Sequence, residues 1–246
     1  MRFRKTALSV IAISCFALCA AAQTADEGAP PAKPARSTEG WGFFTLGLQH
    51  VGLSGLNGPM VSQGYTRFGE TFFLMGGGGL TVIDRFIIGG EGLALFDRTA
   101  TRGPVKARVN AGCGFFDVGY IFWRRPDFRT YGLLGLGGGG WTLRITESAD
   151  APFEDVLANP GRSSMLTSGM FLVSLSAGAD WLVRLGGDER GEGGMSFGLR
   201  AGYTLAPFKN KWKMEDFEIT SGPKMGLTGP FVRLVIGFGG RGAKSN

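Results

Sequence analysis

The chain has 246 residues, a formal net charge of +6 and one histidine, and 43 of its residues are glycine. With two of the three cysteines inside residues 1–22, one histidine and the remaining Cys113 cannot supply the usual zinc set, and no basic tract points to nucleic acid. No uncharged apolar run reaches the ~20 residues of a membrane helix, so an embedded chain must cross with strands.

The first residues carry Arg2, Arg4 and Lys5, then an apolar run from about Ala7 to Leu18, then Ala20-Ala21-Ala22. A basic start, a short greasy stretch and small residues at the cut predict a secretory signal peptide over 1–22, leaving Gln23 first. Lipidation at Cys15 or Cys19 is the alternative, although Ala12 stands where a Leu is usual and Leu18 is too large. Loss of the signal takes three bases and no acid, so the net charge falls from +6 to +3. It also leaves Cys113 as the one cysteine, with no internal disulfide to form. Residues 23–39, rich in Ala and Pro, read as a flexible periplasmic lead-in. A barrel domain over 40–240 and a tail over 241–246 complete the chain.

Eight Gly-rich stretches of alternating character follow. They run near 41–53, 70–83, 86–98, 106–124, 129–146, 167–185, 195–208 and 229–239. In the last, Val232, Leu234, Ile236 and Phe238 share one parity, against Arg233, Val235 and Gly237. In the seventh, Phe197, Leu199, Ala201, Tyr203 and Leu205 oppose Ser196, Gly198, Arg200, Gly202 and Thr204. Successive strand side chains point to opposite faces, so one face is greasy and the other carries charge. Connections alternate: 84–85, 125–127 and 186–190 are short, whereas 54–69, 147–166 and 209–228 are long and 99–105 is intermediate. Short inner turns and long external loops are the habit of outer-membrane barrels. The expected fold is all-β: a closed, eight-stranded, antiparallel, up-and-down transmembrane β-barrel. A secreted lipocalin-like barrel is the soluble alternative, but it would crowd its outer parity with Lys and Glu.

Phe86 and Phe96, Tyr131 and Trp141, and Phe171 and Trp181 are each ten residues apart on one parity. At ~3.3 Å per residue and a tilt near ~40°, that span covers roughly 25 Å, the height of the apolar band between aromatic girdles. The opposite parity collects Glu91, Asp97, Arg108, Arg144, Asp180, Arg184, Arg200 and Arg233 as barrel-interior ion pairs. Five Arg against three acids leave a surplus, and Asp117 helps only if a bulge near Phe115-Phe116 shifts its register. Such a set is either an ion-pair lattice holding the wall or a path for protons or ions. The Gly quartets at 76–79 and 137–140 are expected to bend strands and leave room inside for long Arg side chains.

These features, and the final strand Phe231-Val232-Arg233-Leu234-Val235-Ile236-Gly237-Phe238, resemble the small eight-stranded bacterial outer-membrane β-barrel proteins, such as the OmpA membrane domain and OmpX. The resemblance implies a Gram-negative envelope, insertion by the barrel-assembly machinery through the last strand, and roles in anchoring, adhesion, lipid packing or defence. Some small barrels of this class trim or acylate lipopolysaccharide. Here His50, near Ser54 with Ser62 or Glu70 within approach, is where such chemistry would be sought. The expectation is a structural, adhesive or envelope-interaction role with no catalytic residues, metal or cofactor. A narrow pore is second and a lipopolysaccharide-modifying enzyme third. Expected partners are outer-membrane lipid and lipopolysaccharide, with a monomer as the expected state. Lys209, Lys211, Trp212 and Lys213 form the candidate head-group contact, a mix of cations and aromatic suited to anionic groups.

Overall fold

The computed structural model describes residues 38–147, 163–188, 191–214, 217–220 and 222–242. The signal peptide, Cys15 and Cys19, the lead-in up to residue 37 and the tail beyond 242 lie outside the described residues. The strands of the wall are β1 (Thr38–His50), β2 (Thr71–Ile83), β3 (Phe86–Arg102), β4 (Val105–Arg125), β5 (Phe128–Glu147), β6 (Ser163–Asp188) and β7 (Gly191–Lys209). Two short strands, β8 (Lys213–Met214) and β9 (Phe217–Glu218), precede the last wall strand, β10 (Gly229–Gly242). One helix, α1 (Ser54–Ser62), follows β1.

Each wall strand pairs antiparallel with its chain neighbours, β7 pairs with β10, and β10 pairs with β1. The β5–β6 pairing completes a closed ring of eight. Closure leaves no unpaired edge, which is the condition for strands to stand in hydrocarbon. Asp84-Arg85 and Pro126-Asp127 turn the chain at the inner end, with Asp84 at φ 57. Asp is one of the few residues that tolerates this left-handed conformation. The outer connection after β3 differs from expectation. Arg102 pairs with Val105 across only Gly103 and Pro104, because both strands run on past a register break between Leu95 and Arg98.

That extra length explains the interior. A transmembrane strand needs ~9–11 residues, yet β4 has 21, β5 has 20 and β6 has 26. The outer part of the wall therefore stands beyond the apolar band, among head groups and water. There it is packed like a soluble barrel. Val109, Trp141, Leu143, Phe72 and Leu172 point inward into a continuous apolar core, and polar residues face out. Leu56 and Met60 of α1, with Trp212, Met225 and Leu227 of the last loop, join that core and cover its outer mouth. The expectation of a charged interior holds for the inner half and the middle only.

Outside, the band between is oily: Leu175, Leu199, Val232, Leu234 and Phe238 are each more than half exposed. Aromatic rows edge it. At the inner end Phe86 packs on Tyr120 and Tyr120 on Phe122, while Phe128 bridges Trp123 and Trp181. At the outer end Phe73 meets Phe96, and Phe171 meets Phe208. The ten-residue pairs Phe86/Phe96 and Phe171/Trp181 thus face out. Tyr131 and Trp141 do not. Both are 1% exposed inside the barrel, because β5 presents Leu134 and Leu136 to the outside.

Candidate functional site

The strands place one compact ion network in the middle and inner half of the interior. Arg200 of β7 and Arg233 of β10 are direct cross-strand partners, an arrangement that repels unless an anion lies between them. Glu91 of β3 supplies it from across the barrel. Its two oxygens accept from Arg200 Nη1 at 2.9 Å and Arg233 Nη1 at 2.6 Å. The Arg200 guanidinium also lies over the Phe43 and Tyr131 rings, and Arg233 over Phe231. Flat, weakly hydrated guanidinium groups suit such stacking better than an ammonium would.

Nearer the inner end, Arg129 donates to Asp180 through Nε at 3.0 Å and Nη2 at 2.8 Å, and Tyr131 Oη donates to the other oxygen at 2.9 Å. Glu39 pairs with Arg124 and lies 3.8 Å from Arg129 Nη1. Asp117 is buried among them without any bulge at Phe115-Phe116, since the β3–β4 and β4–β5 registers run unbroken there. The predicted surplus of Arg is therefore corrected. Among the described residues, Arg124, Arg129, Arg200 and Arg233 balance Glu39, Glu91, Asp117 and Asp180.

Glycine makes room, but the expectation that the room is for Arg is corrected: neither quartet faces an arginine, and the ion cluster gains space elsewhere. A Cβ on Gly178 would lie 2.7 Å from Tyr131 Oη, and one on Gly198 would collide with Asp180 Oδ1. Small residues on β6 and β7 are what let this cluster lie flat against the wall.

Of the eight predicted interior charges, Glu91, Asp180, Arg200 and Arg233 are inside and in contact with partners. Four are corrected to the outside. Asp97 sits at the β3 register break, exposed, and accepts from Asn110 Nδ2. Arg108 and Arg144 face out because the outer wall inverts the inside–outside pattern. Arg184 reaches Asp127 at 3.7 Å on the exposed inner rim. Glu39, Arg124 and Arg129 went unseen, for they stand at strand ends where alternation is too short to read. Arg129 lies on the same parity as Tyr131 and Leu133, the run taken for a greasy outer face.

The loop reading is corrected as well. Trp212 is 2% exposed and donates to the Pro223 carbonyl at 2.6 Å, so its ring is turned into the core and away from head groups. Lys211 is engaged by Glu218 at 3.1 Å, while Lys209 and Lys213 are exposed. His50 lies 3.8 Å from Glu70 and 3.5 Å from the Thr71 hydroxyl, and neither Ser54 nor Ser62 meets it. Glu70 is itself held by the Leu53 amide. A recess of about 390 Å³ opens at the inner mouth between Glu39, Arg124, Arg184 and Leu182.

An apolar outer band, two aromatic rows and a closed ring with buried ion pairs describe a wall solvated by lipid. This is a transmembrane β-barrel of the outer-membrane type. No family model matches the sequence, and no curated protein sequence does. Solved structures similar to the chain include Ail, the attachment invasion locus protein of Yersinia pestis. That likeness has 10% identity and a TM-score of 0.37, over 85% of this chain and 99% of that one. The outer membrane protein OprG of Pseudomonas aeruginosa shows 15% identity and a TM-score of 0.37, over 85% and 97%. The outer membrane protease OmpT of Escherichia coli shows 9% identity and a TM-score of 0.29, over 87% and 97%. The pairing of the strands, independently of these likenesses, defines the fold.

Proposed function

We propose that the protein is a non-conducting, non-catalytic component of the bacterial outer membrane that acts through its outer surface, as a scaffold or envelope-interaction protein. The observation that carries this reading is the closed interior. The Glu91–Arg200–Arg233 clasp spans the middle, and its three side chains are 1–3% exposed. Above it the outer half is an apolar core covered by α1 and the last loop. An eight-stranded barrel is only wide enough for its own side chains, and here they are interlocked. The His50 surroundings support the non-catalytic half of the reading, because the ring faces Glu70 and a threonine rather than an activated serine.

Single-channel recording in planar bilayers tests it. The folded protein, identified by its heat-dependent gel mobility in detergent, should give no unitary steps at ionic strengths where porins conduct. Regular steps abolished by Glu91→Gln would replace the scaffold with a narrow channel.

A further inference from the structure

The corrected positions of Arg108 and Arg144 have no role in the wall. They are direct cross-strand partners on β4 and β5, both exposed, with Lys106 two residues further along the same face of β4. Like charges placed directly opposite destabilise a sheet. The interior solves the same problem at Arg200 and Arg233 by inserting Glu91. On the outside, among the described residues, no carboxylate answers these three. Asp97, exposed on β3, accepts from the Asn110 amide, and among the described residues the hydrogen-bond partner of Arg144 is the Met165 sulfur at 4.0 Å. The neighbouring arginines of β3 are engaged: Arg98 donates to the Thr71 carbonyl and Arg102 to that of Gln63.

Their height is informative. Twelve residues of β4 separate Arg108 from Tyr120 in the inner aromatic row, roughly 30 Å of vertical rise at ~3.3 Å per residue and ~40° of tilt. The apolar band takes about 25 Å of that. The trio therefore stands just above the oily belt, on the lipid-facing surface, where the head groups of the outer leaflet lie. Arg presents a planar fork matched to phosphate oxygens, and two forks face each other across one strand seam.

We propose that Lys106, Arg108 and Arg144 form a binding site for the phosphate groups of a phosphorylated outer-leaflet glycolipid of the lipid A kind. The anion neutralises the opposed arginines as Glu91 does within. This rests on the outer-membrane reading above and adds a partner and a place to it.

The test uses the full-length protein purified in detergent, with bound lipid measured by native mass spectrometry and heat-dependent gel mobility reporting the fold. Each basic residue beside an anionic lipid surface strengthens binding about fivefold. The combined Lys106→Gln, Arg108→Gln, Arg144→Gln protein should therefore hold bisphosphorylated lipid A at least about tenfold more weakly. It should still show the folded band. Arg108→Lys with Arg144→Lys should retain most of the binding, and Lys209→Gln with Lys213→Gln should leave it unchanged. Dephosphorylated lipid A should bind the native protein as weakly as lipid A binds the triple variant. Unchanged binding in a folded triple variant overturns the site. Equal dependence on the trio for phosphatidylglycerol overturns the glycolipid as its source. Loss of the folded band in the native protein would instead sink the barrel reading itself.

Discussion

At the residue scale the interior depends on Glu91, because one carboxylate holds two arginines that repel each other across a strand seam. Removing one partner of a buried ion group strands the others, at a cost of about 3–5 kcal/mol, whereas replacing the whole group with well-packed apolar residues is often neutral. Glu91→Gln should therefore destabilise the barrel by about that amount in urea unfolding followed by tryptophan fluorescence. Combined Glu91→Leu, Arg200→Met and Arg233→Met should cost clearly less than the single change. Equal losses would mean that the ionic character, and not the stranded charge, sets stability. Glu91, Arg200 and Arg233 were legible because each interrupts a long, regular alternation near mid-strand. Arg129 was not, since Tyr131, Leu133 and Trp141 share its parity and look like a lipid face when read alone. Nothing in the one-dimensional pattern distinguishes an apolar residue against lipid from an apolar residue in a core.

At the scale of elements, all eight wall strands were visible as alternation punctuated by turns, and their ends fall within a few residues of expectation. Helix α1 was invisible for a physical reason. Its nine residues, Ser-Gly-Leu-Asn-Gly-Pro-Met-Val-Ser, include two glycines and a proline, and no side chain caps its start. Intrinsic propensity disfavours such a helix. Burial of Leu56 and Met60 over the outer core supports it instead, together with one local device. Asn57 Nδ2 donates to the Phe68 carbonyl at 3.2 Å while the Phe68 amide donates to Asn57 Oδ1 at 2.8 Å. That reciprocal pair ties the helix to the chain returning into β2. Asn57→Ala leaves both buried Phe68 groups unpaired, a penalty of about 1–3 kcal/mol. Hydrogen exchange should then speed up at Phe68 and along 54–68 while the amides of β6 and β7 stay protected. If exchange at Phe68 is unaltered, the helix is held by its apolar contacts alone.

At the scale of the whole molecule, one ring of strands is solvated by two different media, and side-chain parity changes meaning where the media meet. Leu175 on β6 lies between the outward-facing Phe171 and Trp181, so it marks the middle of the oily band. Four residues beyond Phe171 toward the outer end, Thr167 is exposed on the same face but past the aromatic row. A lipid-solvated wall and a soluble barrel disagree about these two positions. In lipid, Leu175→Arg should cost about 2–4 kcal/mol near the bilayer midplane, whereas an exposed site in water should change by within about 0.5 kcal/mol. Thr167→Arg, past the apolar band at the head-group level and opposite Lys213, should therefore cost no more than about 1 kcal/mol. Reversible unfolding of the two variants from phospholipid vesicles reads the difference directly. A soluble barrel with an exposed Leu175 would tolerate both substitutions alike, and that result would move the entire wall out of the membrane.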